Sequence, residues 1–333
     1  MNKTEKMSGI NQYSTYGWLR GFSVVPSWGA RIEQAWWDYQ PERMREEVAL
    51  ARQVHANGLR LWIEFSAWMA NPERVTANFL DAIDAISEAG MKTMPCLFNR
   101  WHDHHWDYGG TYTEHLYRNW EPMLQYVRAL VQPLATDDRV LIWDLCNEPQ
   151  AMDMTSEVNQ RECAWLQAIA DCVRGCGARQ PITIGTMNGG NIEVFAPLCD
   201  VLCGHPYAHD PEGLDVAITD YKEKARRHAK PFLVNECMPG ALDDQTRAVV
   251  AQFYTERLSG AGFGWMGWAL REGLAISTRR DRYDGNGIKG EGFHPFFTKE
   301  GRLRGGLEFL TEKPDLPSPW LKKPNKADAG GAP

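Results

Sequence analysis

Two glutamates stand where apolar, strand-like segments end. Glu148 closes the segment VLIWDLCNEP, and Glu236 closes PFLVNEC. Burying an ionisable side chain at the end of an apolar strand is costly unless it has a partner or a chemical task. Two facing carboxyl groups suit glycoside hydrolysis: one protonates the leaving oxygen and the other attacks or stabilises the anomeric carbon. For either glutamate alone, the alternative is a buried ion pair.

Eight short apolar segments are predicted strands that could position these carboxyl groups. They lack strict alternation of apolar and polar residues, as expected for strands covered on both faces. The predicted strands are Trp18–Val25, Leu59–Phe65, Met91–Phe98, Val140–Cys146, Ile182–Gly185, Val201–Tyr207, Phe232–Cys237 and Phe263–Ala269.

Helical patterns separate these strands, and the second crossover is the best defined. Asn71 is a good N-cap, Pro72 suits the first turn, and Glu73 lies near the positive end of the helix. Apolar residues at helical spacing follow, and Gly90 is the predicted end of the element. The fifth crossover, near residues 190–198, is predicted to be short.

Eight strand–helix units predict an α/β fold, a single-domain (β/α)8 TIM barrel. The chain has 333 residues, which fits one barrel of about 250 residues with insertions. A doubly wound open sheet is the main alternative, but no G-x-G-x-x-G follows a predicted strand. We divide the chain into an N-terminal arm (1–15), a catalytic barrel (16–312) and a Pro/Lys-rich C-terminal tail (313–333). Within the tail we expect order at most where Trp320 docks.

Charge and composition limit the classes of partner that we expect the protein to bind. The net charge is −7 without a long basic run, which argues against nucleic acid and anionic membranes. No apolar run is long enough to span a membrane, and the N-terminus lacks the apolar core of a secretory signal, so we expect a cytoplasmic protein. The eight cysteines form no CxxC pair, so reduced thiols are expected rather than zinc or disulfides. The oligomeric state stays open.

Catalytic groups of such barrels lie at the C-terminal ends of the strands. Glu148 follows the fourth predicted strand and Glu236 ends the seventh, so the two carboxyl groups should face each other across the barrel mouth. Many of the 14 tryptophans also fall near predicted strand ends, and they are Trp28, Trp62, Trp68, Trp101, Trp106 and Trp268. Aromatic platforms along a cleft suit oligosaccharides, although core packing is the alternative for each ring.

The Asn147-Glu148-Pro149 motif after the fourth strand and the glutamate ending the seventh resemble glycoside hydrolase clan A. Within the clan, the cellulase family (glycoside hydrolase family 5) is the most similar, over roughly residues 17–275. This resemblance implies a retaining β-glycosidase working by double displacement, with Glu148 as acid/base, Glu236 as nucleophile and no cofactor or metal. The expected partner is an oligosaccharide or glycoside, with gluco- or manno-configured sugars favoured and exo-action possible.

The resemblance also implies roles for five further residues. Arg60 would keep Glu236 ionised, Asn147 would bind the sugar 2-hydroxyl, and His205 would line the side of the acid/base. Tyr207 would donate to Glu236, and Trp268 would form an aromatic platform under the −1 sugar. The alternatives are a structural salt bridge for Arg60, a core histidine for His205, a strand cap for Tyr207 and core packing for Trp268.

Three other residues are candidates for substrate binding. His102 is our choice from the loop FNRWHDHHWDYGG, because family 5 relatives often place a substrate-contacting histidine after the third strand. Glu64, after the second strand, and Arg271, after the eighth, could reach the pocket. Asp144 lies deeper in the barrel, where we expect a structural hydrogen bond.

Two other function classes remain open at this point. One is a metal-dependent barrel hydrolase that uses the histidines of residues 102–105, although three ligands so close together on one loop make a poor metal site. The other is a non-catalytic sugar-binding barrel, which would bind sugars without cleaving them.

Overall fold

Eight parallel strands close into a barrel in the order β1 to β8. The computed structural model describes residues 9–101, 116–187, 191–275 and 292–321. The predicted single-domain (β/α)8 barrel is confirmed. The strands are β1 Arg20–Val24, β2 Gly58–Trp62, β3 Lys92–Cys96, β4 Trp143–Asn147, β5 Ile182–Met187, β6 Leu202–His205, β7 Phe232–Cys237 and β8 Gly264–Gly267.

Helices connect the strands and cover the outside of the barrel. In the described ranges they are α1 Ile32–Trp37, α2 Pro41–Gln53, α3 Phe65–Ala70, α4 Pro72–Glu88, α5 Glu121–Val131, α6 Glu157–Gly175, α7 Ile192–Phe195, α8 Pro211–His228 and α9 Asp244–Gly260. The fifth crossover is short, as expected, because α7 has a single turn.

The helix α4 forms where its sequence predicts. Asn71 accepts a hydrogen bond from the Arg74 backbone N–H, and Pro72 opens the first turn. The helix buries one apolar face, which includes Phe79. Gly90 follows the helix with φ +80°, a conformation that glycine adopts without steric cost.

The second predicted strand extends past the C-terminal end of the observed strand. We expected it to reach Phe65, but β2 ends at Trp62 and Phe65 is already the first residue of α3. Glu64 causes this early start, because its carboxylate accepts a hydrogen bond from the Ser66 backbone N–H as the N-cap of α3.

Two strands break their regular pairing where the chain approaches the barrel mouth. The register between β4 and β5 shifts between Asp144 and Asn147, and the register between β7 and β8 shifts between Val234 and Cys237. A bulge bends a strand and re-aims its side chains. Glu148 follows with φ +51°, a left-handed conformation rare outside glycine and often found at functional sites.

Aromatic packing closes the opposite, N-terminal end of the barrel. Trp18 packs edge-to-face against Tyr13 and against Trp320, each with ring centroids 5.1 Å apart. The indole N–H of Trp320 donates to the Gly90 carbonyl at 3.1 Å. Trp320 therefore docks against the barrel, while the boundaries of the arm and the tail stay predictions.

Among the described residues, no helix combines the length and apolar character needed to cross a membrane.

Candidate active site

The carboxyl groups of Glu148 and Glu236 meet at the C-terminal end of the barrel. One oxygen of each, together with a ring nitrogen of His205, lies within 4.8 Å of the others. Glu148 is 7% and Glu236 is 5% exposed. The two carboxyl groups are therefore close, nearly buried and able to reach one small group between them.

Glu236 is held by two donors. The Arg60 Nη1 atom lies 2.6 Å from Glu236 Oε2, and the Tyr207 hydroxyl donates to Oε1 at 2.7 Å. Tyr207 lies on the loop after β6, and Tyr254 of α9 holds that loop by donating to the Pro206 and Ala208 carbonyls. Both donors favour the ionised form of Glu236.

Glu148 has different neighbours. His205 Nδ1, at the end of β6, lies 2.7 Å from Glu148 Oε1, and the Trp101 indole N–H donates to Oε2. The other ring nitrogen of His205, Nε2, lies 3.1 Å from Asn235 Oδ1. Because His205 can gain or lose a proton, it couples the charge of Glu148 to its own.

The two carboxyl groups have opposite pKa shifts when His205 is charged. Burial raises the pKa of Glu148, but the hydrogen bond and charge of His205, together with Trp101, outweigh burial and lower the pKa below its usual range. Burial, together with the charge of Glu148, raises the pKa of Glu236 by more than His205, Arg60 and Tyr207 lower it. Of the neighbours that lower these two pKa values, His205 contributes most to each.

Arg60 is the centre of the charge network inside the barrel. Its side chain is fully buried, with Nε donating to Asp144 at 2.8 Å, Nη1 to Glu236 at 2.6 Å and Nη2 to Asn147 Oδ1 at 2.7 Å. The expected structural role of Asp144 is confirmed by this buried ion pair. Asn147 also donates to Asn99 Oδ1 at 3.1 Å, so its amide is fixed before any ligand binds.

Trp268 lies directly after β8 at the same end of the barrel. Its ring is 7% exposed and lies 4.9 Å, centroid to centroid, from the ring of Trp62. The Trp268–Ala269 peptide bond is cis. Arg247 of α9 donates to the Trp268 carbonyl at 3.0 Å, so the backbone under this indole is anchored from the outer helix layer.

The remaining substrate-binding candidates have other contacts or cannot be placed. Glu64 caps α3 through Ser66. Arg271 donates to the Lys299 carbonyl and pairs with Glu46 of α2 at 3.3 Å. His102, like the rest of the histidine cluster, lies outside the described residues. Substrate contact stays a prediction for all three.

One group among the described residues has the spacing of a metal site, namely Glu148, His205 and Glu236. However, the Arg60 guanidinium lies 2.6 Å from Glu236, and a divalent cation bound there would lie against this positive charge. The donor set therefore fits an ionised Glu236 paired with Arg60 better than it fits a cation.

Sequence reasoning missed two contacts in the site. Trp101 was predicted only as a general aromatic platform, yet its N–H bonds Glu148. Asn235 was not singled out, yet it bonds both His205 and Asp144. A polar Asn next to Glu236 on a buried strand was the available signal, but alternation along a regular strand would point these neighbours to opposite faces.

The fold is similar to those of several solved glycosidase structures. The GH5_18 protein from Streptomyces cattleya, in complex with GlcNAc, is 14% identical with a TM-score of 0.67, and the match covers 88% of this chain and 78% of that one. An exo-β-1,4-mannosidase from Opitutaceae bacterium strain TAV5 is 18% identical with a TM-score of 0.68, covering 88% and 58%. A β-glucuronidase from Ruminococcus gnavus is 12% identical with a TM-score of 0.58, covering 88% and 49%.

These identities are low, so the structural matches establish the barrel fold alone. The chain also spans little more than half of the mannosidase and about half of the glucuronidase. No curated protein matches the sequence. The profile of the Cellulase family (glycosyl hydrolase family 5) matches residues 19–273, which include β1 to β8 and both glutamates. The chain therefore belongs to glycosyl hydrolase family 5, the cellulase family.

Proposed function

We propose that this protein is a retaining β-glycosidase in which Glu236 is the nucleophile and Glu148 is the acid/base. The observation that carries the proposal is the approach of the two buried carboxyl groups, since one oxygen of each lies within 4.8 Å of the other. Retaining enzymes hold their carboxyl groups about 5–5.5 Å apart, whereas inverting enzymes leave about 6.5–9.5 Å for a water molecule. The short separation supports direct attack by one carboxylate.

The neighbours of each carboxyl group support the assignment of roles. Arg60 donates to one oxygen of Glu236 and Tyr207 donates to the other. These hydrogen bonds favour the anion that a nucleophile needs. Glu148 contacts His205, a group that can carry a proton, which suits a residue that must give and regain one.

The reaction has two steps. In the first, a Glu236 oxygen attacks the anomeric carbon, the glycosidic C–O bond breaks, and the leaving oxygen takes the proton of Glu148. In the second, Glu148 removes a proton from water, the water oxygen bonds to the anomeric carbon, and Glu236 leaves as a carboxylate. A sugar hydroxyl in place of water would give transglycosylation.

For the substrate we propose a β-linked oligosaccharide or glycoside with a gluco- or manno-configured sugar. The mannosidase and the GlcNAc complex among the similar structures support including mannosides and GlcNAc-containing disaccharides among the first compounds tested. The packed pair of Trp62 and Trp268 supports stacking against the apolar face of a pyranose. Exo-action is part of the proposal.

The test compares wild type, Glu236→Ala and Glu148→Ala on a panel of aryl β-glycosides, with and without azide. We expect Glu236→Ala to lose activity and to regain it with azide, giving the α-glycosyl azide. For Glu148→Ala, azide should give the β-glycosyl azide, because the small anion replaces water after the covalent intermediate has formed. Glu212→Ala, on the exposed first turn of α8, is the control and should behave as wild type.

Four outcomes would contradict the proposal. Full activity of Glu236→Ala would remove the nucleophile assignment, and an inverted sugar product from wild type would remove the retaining mechanism. Sugar binding without cleavage of any glycoside would instead favour a binding protein. The panel is repeated in EDTA, and loss of activity there would favour the metal-dependent hydrolase.

A further inference from the structure

A buried chain of hydrogen bonds joins the two carboxyl groups through the interior of the barrel. Its middle members His205, Asn235, Asp144 and Arg60 are all fully buried. The chain runs in the order Glu148, His205, Asn235, Asp144, Arg60, Glu236.

The orientation of the Asn235 amide follows from the groups around Asp144. The Asp144 carboxylate accepts from Arg60 Nε at 2.8 Å and from the Gly185 backbone N–H at 3.2 Å, and it pairs with the Arg60 charge. An ionised carboxylate only accepts hydrogen bonds. Asn235 must therefore present its NH2 group to Asp144, at 3.1 Å, and its carbonyl oxygen to His205.

This orientation determines which nitrogen of His205 carries a proton. The Asn235 carbonyl oxygen, 3.1 Å from His205 Nε2, can only accept, so Nε2 must be an N–H. Nδ1 and the Glu148 oxygen, 2.7 Å apart, then need one proton between them. That proton lies on Glu148 when His205 is neutral and on Nδ1 when His205 is charged.

Space in the barrel supports the same arrangement. Gly185 of β5 lies behind the imidazole, and a Cβ atom at this position would come within 2.7 Å of His205 Nε2 and 3.1 Å of Asn235 Nδ2. The glycine thus lets the ring and the amide approach closely, as a hydrogen bond between them requires.

We propose that Asn235 is a positioning residue that fixes His205 in the Nε2-protonated tautomer, so that Glu148 and His205 together hold the proton used in catalysis. The inference rests on the proposed function. With this tautomer, a deprotonated Glu148 faces the Nδ1 lone pair, which favours taking a proton back from water. The other tautomer would donate from Nδ1 to the Glu148 carboxylate and favour its ionised form, so less of Glu148 would be protonated to act as the acid and the carboxylate would be a weaker base.

Other charged and titratable groups surround this pair and stay in place when only Asn235 is changed. The Glu236 Oε1 atom lies 3.9 Å from His205 Nδ1. The remaining groups are Arg60 on β2, Arg100 in the segment after β3, Asp144 on β4 and Tyr207 on the loop after β6.

The decisive measurement is the nitrogen chemical shifts of His205 in protein labelled with 15N-histidine, assigned with His205→Gln. For wild type at the pH where His205 is neutral, we expect the Nε2–H tautomer. Asn235→Leu removes both amide hydrogen bonds at similar volume and should raise the Nδ1–H fraction.

Kinetics give a second readout, which would stay unchanged if Asn235 had a purely structural role. In Asn235→Leu the basic limb of the kcat/KM profile should shift to lower pH by roughly one unit, the scale of one hydrogen bond. Glycosides with poor leaving groups should lose roughly 10- to 100-fold in kcat/KM, the contribution of a positioned acid. Dinitrophenyl glycosides, whose leaving group needs no proton, should lose little.

A wild-type Nδ1–H tautomer would overturn the proposal, and so would unchanged nitrogen shifts together with an unchanged basic limb in Asn235→Leu. The wild-type spectrum decides the question even if a variant does not fold. Because the spectrum needs no turnover, failure to cleave any glycoside would overturn the proposed function separately, and the tautomer would still be determined.

Discussion

At the scale of single residues, the two glutamates differ in what they touch. Glu236 receives a guanidinium N–H and a phenol O–H, and Glu148 contacts an imidazole and an indole N–H. Two identical carboxyl groups thus acquire different hydrogen-bond partners, and in the proposed roles the one beside His205 is the acid and the one held by Arg60 and Tyr207 is the anion.

Tyr207→Phe tests the donor to Glu236. The variant keeps the ring and removes one hydrogen bond to a charged oxygen, so kcat/KM should fall roughly 10- to 100-fold with little change in thermal stability. Tyr221→Phe is the matched control, because the buried Tyr221 hydroxyl has no hydrogen-bond partner among the described residues. Equal losses in the two variants would contradict a specific role for Tyr207.

The same variant predicts a pH shift with a definite sign. A nucleophile works as the anion, so activity falls as pH drops through the pKa of Glu236, which burial raises above its usual value. The Tyr207 hydrogen bond lowers that pKa, and its removal should raise it. The acidic limb of kcat/KM should therefore move to higher pH. Movement to lower pH would contradict the assignment of Glu236.

At the scale of elements, bulges and a glycine bring the side chains together. The register shifts in β4 and β7 occur where two consecutive residues both join the hydrogen-bond network around Arg60 and His205. These consecutive residues are Asn147 with Glu148 and Asn235 with Glu236. In β5, Gly185 leaves room for the imidazole of His205. The irregular positions of the strands therefore determine where the catalytic side chains lie as much as the regular pairing does.

Gly185→Ala tests this close approach. The added methyl group would lie 2.7 Å from His205 Nε2 and 3.0 Å from Arg60 Nη2, so either the ring or the guanidinium must move. We expect kcat/KM to fall at least roughly 100-fold, because misplaced catalytic groups lose rate steeply, while overpacking lowers stability by about 1–3 kcal/mol.

The matched control is Gly175→Ala at the end of α6, where an added Cβ would meet no atom of the described part of the chain within 4 Å. Activity and denaturant unfolding are measured on both variants. A Gly185→Ala enzyme as active as Gly175→Ala would show that the packing behind His205 does not matter for catalysis.

At the scale of the whole molecule, the two ends of the barrel have different tasks. The carboxyl groups and their partners lie beyond the C-terminal ends of the strands, and aromatic rings including Trp18 and Trp320 close the N-terminal end. This division is general for such barrels, in which loops at one end carry the chemistry and the other end carries stability.

Trp320→Ala should separate stability from catalysis. It removes the ring contact with Trp18, the hydrogen bond to Gly90 and a cation–π contact with Lys92. We expect a loss of about 1–3 kcal/mol in the free energy of unfolding and an unchanged kcat. The exposed Leu321→Ala is the control. A fall in kcat without a fall in melting temperature would contradict this division.

The sequence by itself determined the fold class, the position of both glutamates at strand ends and the family. Apolar segments alternating with amphipathic ones require a covered parallel sheet, and the end of a parallel strand has a fixed place at the barrel mouth. The expected neighbours Arg60, His205 and Tyr207 also lie where the resemblance implied. All of this depends on residue type and order along the chain.

Only the tertiary structure decided which side chains share protons. Asn235 lies on β7 and Trp101 in the segment after β3, and their contacts depend on bulges, on the missing side chain of Gly185 and on hydrogen-bond directions. Periodicity assumes regular strands, and a local bulge reverses the face that a side chain occupies. The sequence therefore determined which groups stand at the barrel mouth, and packing decided their partners, because hydrogen bonding depends on distances of a few tenths of an ångström that no spacing along the chain encodes.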